Sequence, residues 1–353
     1  MTLPLHLLAA DSTYEFGGRF WLYAAFLTVV AVCIGLDLGV LRRRDTVQTV
    51  RQAIGWTAVW FGVAMVFNVA IYFLYEHHLL GIGLGVPQIS GTARDVAGAE
   101  AARLFFTGYV VEQSLSADNV FVIAIVFSGL RIPLDKQHRV LYWGILGAVV
   151  LRGLMIGLGV AFVQSVSWAI YVFGGLLVVT ALKMLFTKED GSHTDEPPTE
   201  KFLLRTTRRF MKVSPTLDGN RFFTVVNGHR MATPMLLALV VVEFTDVIFA
   251  VDSIPAIFGI TLDPFLIFTS NVSAILGLRS LYFCVAGMMA AFRYLKVSLV
   301  LILLFVGVKM LVHSWVAIPS HWSLVIILCI LGTGIVASLL SKPAPKPLTG
   351  PNL

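Results

Sequence analysis

The chain has 353 residues, 57% of them hydrophobic and only 13% charged, with a net charge of +6. Soluble chains average about 25% charged residues, so this composition, with a mean hydropathy of +0.85, excludes a soluble globular domain and describes an integral membrane protein. The positive balance is not a nucleic-acid signal, because the basic residues fall in short loops between apolar runs, where they set orientation and meet anionic headgroups.

In chain order, nine apolar runs have the length of a bilayer span, about 17–25 residues. They are expected near Phe20–Leu41, Ala53–Tyr75, Ala101–Leu130, Leu141–Val163, Trp168–Phe186, Pro234–Ile260, Phe265–Ala291, Val297–Ala317 and Trp322–Leu340. The opening Met-Thr-Leu-Pro-Leu-His lacks the basic n-region of a cleavable signal, so the first span is expected to serve in targeting. Cys33, Cys284 and Cys329 lie scattered in apolar runs, without a CxxC pair, and read as small buried residues.

The loops alternate in charge. Arg42, Arg43, Arg44 and Arg51 follow the first span; Arg131, Lys136 and Arg139 follow the third; eight Lys or Arg residues from Lys188 to Arg230 follow the fifth. Arg293 and Lys296 follow the seventh, and Lys342 and Lys346 lie in the tail. Even-numbered loops are poor in Lys and Arg, with Arg94 the clearest exception. The positive-inside rule therefore predicts the N-terminus outside and the C-terminus in the cytoplasm. The second loop is external and Gly-rich, and its His77-His78 pair reads as solvated rather than metal-binding. In the fifth loop, Gly191 to Thr199 reads as flexible and Phe202 to Val213 as a basic amphipathic stretch. Phe222 to Ala232 reads as a β-hairpin turning at Asn227-Gly228.

Two acidic clusters sit inside expected spans. The first is Glu112-Gln-Ser-Leu-Ser-Ala-Asp118-Asn119, and the second is Glu243-Phe-Thr-Asp246-Val-Ile-Phe-Ala-Val-Asp252-Ser253. A carboxylate at the bilayer centre costs about 2.5–3.5 kcal/mol on insertion scales, so five such acids point to function. The clusters also belong to a repeat. Asp118 and Glu112 match Asp252 and Asp246; Leu151-Arg152-Gly153 matches Leu278-Arg279-Ser280; Leu182-Lys183-Met184-Leu185 matches Val308-Lys309-Met310-Leu311. Each copy holds three spans, and three is odd, so adjacent copies enter the membrane from opposite sides. The expected fold is an all-α polytopic membrane protein of about nine transmembrane helices, with two inverted three-helix repeats and a broken-helix midplane site. The expected division is 1–100, a two-helix region; 101–187, the first repeat; 188–232, the cytoplasmic basic loop; 233–318, the second repeat; and 319–353, the last helix and tail.

In a straight helix, positions six apart are rotated by about 240° and separated by about 9 Å. Glu112 with Asp118, and Asp246 with Asp252, would share an ion only if each helix were broken between them. Weak helix formers at Ser114, Ser116 and Asn119, and Pro255 after Asp252, favour such breaks. The expected metal ligands are Glu112, Asp118, Glu243, Asp246 and Asp252, with Gln113, Ser116, Asn119, Thr245, Ser253 and Asn271 as further oxygen donors. The set suits a hard cation, Mn²⁺, Ca²⁺ or Mg²⁺. Arg152 and Arg279 lie inside spans, either pairing with the acids when no ion is bound or holding helices in place. Lys183 and Lys309 are expected to snorkel near helix ends, and Asp37 to be a solvated interfacial acid.

The two acidic segments resemble the signature segments of the TerC/Alx family, within the wider LysE-type transporter grouping, over nearly the whole chain from the first span to the ninth. The resemblance implies a bacterial inner-membrane protein linked to manganese efflux and to tellurium-resistance operons, with the family's acidic positions on Glu112, Asp118, Glu243, Asp246 and Asp252. It implies Mn²⁺ as the cargo and export as the direction; the residues themselves indicate only a hard divalent cation. No permanent cofactor is called for. The expected partners are Mn²⁺ as transported substrate and the lipid bilayer, with no nucleic acid.

Proton exchange for the cation is chemically natural for clustered carboxylates, and a Ca²⁺ or other hard-cation exchanger is the alternative within the transporter class. An intramembrane aspartyl protease also needs two membrane aspartates. Neither Asp118 nor Asp252 stands in a Gly-x-Gly-Asp setting, and no HExxH zinc motif is present, so an enzyme is not expected. A membrane scaffold or assembly factor is the third class; it does not require matched buried acids.

Overall fold

The computed structural model describes residues 20–37, 49–88, 92–166, 168–186, 213–214, 217–219, 221–226, 229–287, 294–313, 315 and 318–341. It is mostly helical. The helices are α1 (Phe20–Asp37), α2 (Val50–Glu76), α3 (Gly98–Gly129), α4 (Leu134–Ser165), α5 (Ala169–Phe186), α6 (Pro234–Phe258), α7 (Pro264–Leu276), α8 (Leu278–Gly287), α9 (Leu295–Leu311) and α10 (Ser320–Leu340). Their starts follow local chemistry. Thr49 closes a capping box with Gln52 at α2, and the Asp263 carboxylate accepts the backbone N–H groups of Phe265 and Leu266 at α7. Pro234 and Pro264 open α6 and α7, where a missing N–H leaves no bond unmade.

Every expected span falls on a described helix, yet fewer than nine qualify by length and apolarity. Six do so outright: α1, α2, α4, α5, α6 and α10. The pair α7–α8, bent by 45° at Gly277, makes a seventh if counted as one span. Two others fall short for visible reasons. The polar residues Arg103, Glu112, Gln113, Asp118 and Asn119 dilute α3, and α9 has only 17 residues.

The helix α3 is central, packing against α2, α6, α7, α8 and α10. α4 lies on α6 and α7, and α5 lies along α9. The α5–α9 crossing is close because Gly174 and Gly307 face each other; a Cβ on either would stand 2.9–3.0 Å from the other's carbonyl oxygen. Aromatic contacts of Tyr23 and Phe26 with Phe265, Phe268 and Phe67 hold α1 against α7 and α2.

Two small sheets lie at the helix ends. β1 (Val86–Pro87) pairs antiparallel with β2 (Ala93–Arg94), and β3 (Phe223–Val226) pairs antiparallel with β4 (His229–Ala232). The second pair is the expected hairpin, although its Asn227-Gly228 turn lies outside the described residues. The Thr233 hydroxyl donates to the carbonyls of Arg221 and Phe222, tying the hairpin to the start of α6. Phe222 packs on the core cluster formed by α3, α4, α6 and α8, beneath the Arg139 guanidinium. The stretch 191–199 expected to be flexible, nearly all of the stretch 202–213 expected to be amphipathic, and the basic residues Arg42, Arg43, Arg44, Lys342 and Lys346 lie outside the described residues.

The expected helix breaks are corrected. α3 runs unbroken through 112–118, and α6 runs unbroken through 246–252 with Pro255 inside its last turn. The weak helix formers are satisfied within the helix. Ser114 and Thr245 donate to the carbonyls of Val110 and Val241, four residues back, and Ser116 donates to the Glu112 carboxylate. Among the bundle helices the break falls instead at Gly277, between α7 and α8.

Candidate functional site

With α3 and α6 continuous, carboxylates six residues apart point to different neighbours. Glu112 is fully buried and faces α4 and α7. Asp246 also faces α4, while Asp252 faces α5, where it accepts the Thr180 hydroxyl at 3.0 Å. The side chain of Asp118 lies outside the described residues.

Arg152 of α4 is the centre of the arrangement, at 1% exposure the largest of the fully buried side chains. Its Nη2 and Nε donate to the two oxygens of Asp246 at 2.6 and 3.0 Å, a fork matched to a carboxylate. Its Nη1 donates to Glu112 Oε1 and, at 3.2 Å, to Asn271 Oδ1. Asn271 of α7 in turn donates from Nδ2 to Glu112 Oε2 at 3.0 Å. Four helices thus meet at one closed network of two carboxylates, a guanidinium, an amide and the Ser116 hydroxyl.

Glu243 stands one turn before Asp246 but outside this network. Its carboxylate lies against Gly147 of α4, where an added Cβ would collide with both oxygens. Its Oε2 is buried and has no hydrogen-bond partner among the described residues. The Gln113 Oε1 and the Ser253 hydroxyl are also buried without one. Asn119 is buried on α3. The expected convergence of the acids is therefore partial: Glu112 and Asp246 meet through Arg152, and Asn271 joins them, while Glu243 and Asp252 stand apart. Among the described residues no three His, Cys, Asp or Glu side chains gather closely enough to hold a metal ion.

Two further expectations are corrected. Asp37 is not solvated: its side chain is 11% exposed and accepts Arg279 Nη2 at 2.5 Å. An arginine inside an apolar run requires an anion, and Asp37 near the end of the first span supplies it. Lys309 does not snorkel but is buried at the end of α9, whereas Lys183 is exposed. His78 is held within its own loop, its Nδ1 3.1 Å from the Ile82 carbonyl oxygen. The roles of Thr180 and Gly147 were not legible in sequence, since a threonine and a glycine in an apolar helix carry no charge signal.

Several long apolar helices around a buried charged network define an integral membrane protein with multiple spans. The chain belongs to the integral membrane protein TerC family, whose model matches residues 97–346. It is 44% identical to an uncharacterised membrane protein, STKORF319, of Myxococcus xanthus, covering 94% of this chain and 97% of that one. It is 41% identical to Alx of Escherichia coli K12, named as a proposed membrane-bound redox modulator, over 88% of this chain and 91% of that one. A membrane protein of Rickettsia felis is 36% identical over 90% of this chain and 97% of its own. No solved structure matches.

Proposed function

We propose that the chain is a divalent-cation transporter that exports Mn²⁺ from the cytoplasm of a bacterial cell by alternating access across the inner membrane. The observation that carries this reading is the meeting of Glu112 and Asp246, the repeat-matched acids, at one buried point with Asn271 beside them. Two carboxylates and an amide oxygen are donors for a hard cation. Two anions inside an apolar bundle need a cation to meet them, and in this structure the Arg152 guanidinium fills that place.

The packing supports the inverted repeat, in which α3, α4 and α5 correspond to α6, α7–α8 and α9. α3 packs on α7 as α6 packs on α4, α5 meets α6 as α9 meets α3, and α5 and α9 pack on each other. In this reading all nine segments span, with the N-terminus outside and the C-terminus inside. Asp118 and Asp252 join the path of the ion away from the Glu112–Asp246 level, with Gln113, Ser116, Asn119, Thr245 and Ser253 as neutral donors along it.

Metal flux into proteoliposomes tests the proposal. Wild type should move Mn²⁺ in preference to Ca²⁺, Mg²⁺ and Zn²⁺, and Asp246→Asn, Asp118→Asn and Asp252→Asn should each abolish it. Dominant Ca²⁺ flux would favour the exchanger alternative, and absence of any divalent flux under every gradient would end the transporter reading.

A further inference from the structure

The Arg152 guanidinium occupies the place where a cation shared by Glu112 and Asp246 would sit. Metal–oxygen bonds of a hard divalent ion are about 2.0–2.6 Å long. The guanidinium already takes both oxygens of Asp246, one oxygen of Glu112 and the Asn271 oxygen. A divalent ion bound to those oxygens would stand within a few ångströms of the guanidinium, cation against cation, in an apolar interior. Charge leads to the same exclusion. Two carboxylates and one guanidinium carry a single net negative charge, and two carboxylates with a divalent ion are neutral. Adding the ion without removing the guanidinium would leave a buried positive charge.

A displaced guanidinium needs another acceptor, and Glu243 is placed to be one. It lies one turn from Asp246 on the same face of α6, a distance within one 5.4 Å helical pitch. It rests against α4, the helix that carries Arg152, at Gly147. Its buried Oε2 has no partner among the described residues. An arginine side chain is long enough to change carboxylates over such a step without moving its helix.

We propose that the Arg152 guanidinium is the resident cation of the site, and that a divalent cation loads by exchange, sending the guanidinium from Glu112 and Asp246 to Glu243. This rests on the cation-site reading above and adds two roles to it. Arg152 is a built-in competitor, and Glu243 is its alternative partner rather than a metal ligand. Counted with Glu243 as a carboxylate, the exchange leaves the loaded interior neutral, and in the empty protein the guanidinium keeps Glu112 and Asp246 from being left as unpaired anions.

The test is Mn²⁺ binding to purified full-length protein in detergent, read from the loss of the free Mn²⁺ signal in electron paramagnetic resonance. Wild type, Arg152→Gln, Glu243→Gln and the double variant are compared, with size-exclusion profiles checking the fold. Arg152→Gln should bind Mn²⁺ about tenfold more tightly or better, because the competitor is gone, and Glu243→Gln about tenfold more weakly, because the displaced charge has no acceptor. In the Arg152→Gln background, Glu243→Gln should have no further effect. Equal weakening in both backgrounds would make Glu243 a direct ligand and overturn the exchange. A folded Arg152→Gln protein that binds no more tightly than wild type would reduce Arg152 to a structural pin. Should Arg152→Gln not fold, Arg152→Lys serves, since an ammonium lacks the fork; tighter binding than wild type supports the exchange and equal or weaker binding overturns it. If wild type binds Mn²⁺ but the variants do not follow this pattern, the exchange alone fails. If no variant binds Mn²⁺, the transporter reading fails with it.

Discussion

Arg152 and Arg279 hold matched places in the two halves of the chain, yet they meet different company. Arg152 spans two acids from two helices and an amide from a third. Among the described residues Arg279 makes one charged contact, to Asp37 on α1. Arg279 also follows directly on the bend at Gly277, whereas Arg152 lies within the unbroken α4. The pairing around Arg152 joins α3, α4, α6 and α7 at Glu112, Asp246 and Asn271. The pairing around Arg279 ties α8 to the first helix. Similar sequence therefore yields one hub and one tether, and the difference lies in which acids the neighbouring helices bring within reach.

The largest expected effect separates hub from tether. Arg152→Ala leaves two buried carboxylates uncompensated and should cost about 3–5 kcal/mol of stability, the range for breaking a buried ion pair. Arg279→Ala breaks one buried ion pair where Arg152→Ala breaks two, and should cost less, toward the lower end of that range. Thermal unfolding in detergent ranks the two, and an inverted order would make Arg279 the structural centre. Asp37→Asn should likewise leave more Mn²⁺ flux than Asp246→Asn, because Asp37 lies outside the hub.

A smaller effect is expected at Gly147. Alanine there drives a methyl into the Glu243 carboxylate and should destabilise by about 1–3 kcal/mol, the usual cost of overpacking. Gly157 on the same helix has open space where a methyl would stand and is the control; its alanine should be neutral or stabilise by up to about 1 kcal/mol. Equal stability of the two variants would mean that the Gly147–Glu243 contact is loose. The smallest effect concerns Asp252. Thr180→Val removes the hydroxyl that Asp252 accepts, a hydrogen bond to a carboxylate at a part-buried site, worth about 1.5 kcal/mol. If Asp252 lies on the ion's path, Mn²⁺ flux in proteoliposomes should fall with the same substitution.

The membrane class and the positions of the helices were legible because apolar length and charged punctuation are properties of consecutive residues. The acids stood out for a related reason: a carboxylate in an apolar run is costly wherever the chain folds. The helix breaks were misjudged at both clusters. Propensity marks Ser114, Ser116 and Asn119 as poor helix formers in water, but inside a bundle a hydroxyl bonds the carbonyl four residues back and the helix continues. Continuity then separates residues that a break would have joined, which is why Asp252 turns to Thr180 while Asp246 turns to Arg152.

What the sequence determined by itself was the set of charges that the membrane would have to accommodate, and roughly where along each helix they stand. Only the tertiary structure decided the pairings. Asp37 with Arg279 is separated by 242 residues, and Glu112 with Asn271 by 159; no local pattern encodes such distances. In an apolar interior each charge takes whichever opposite charge or amide its packed neighbours bring within about 3 Å. That choice depends on helix rotation and crossing, set by small residues such as Gly147, Gly174 and Gly307 that let backbones or long side chains approach.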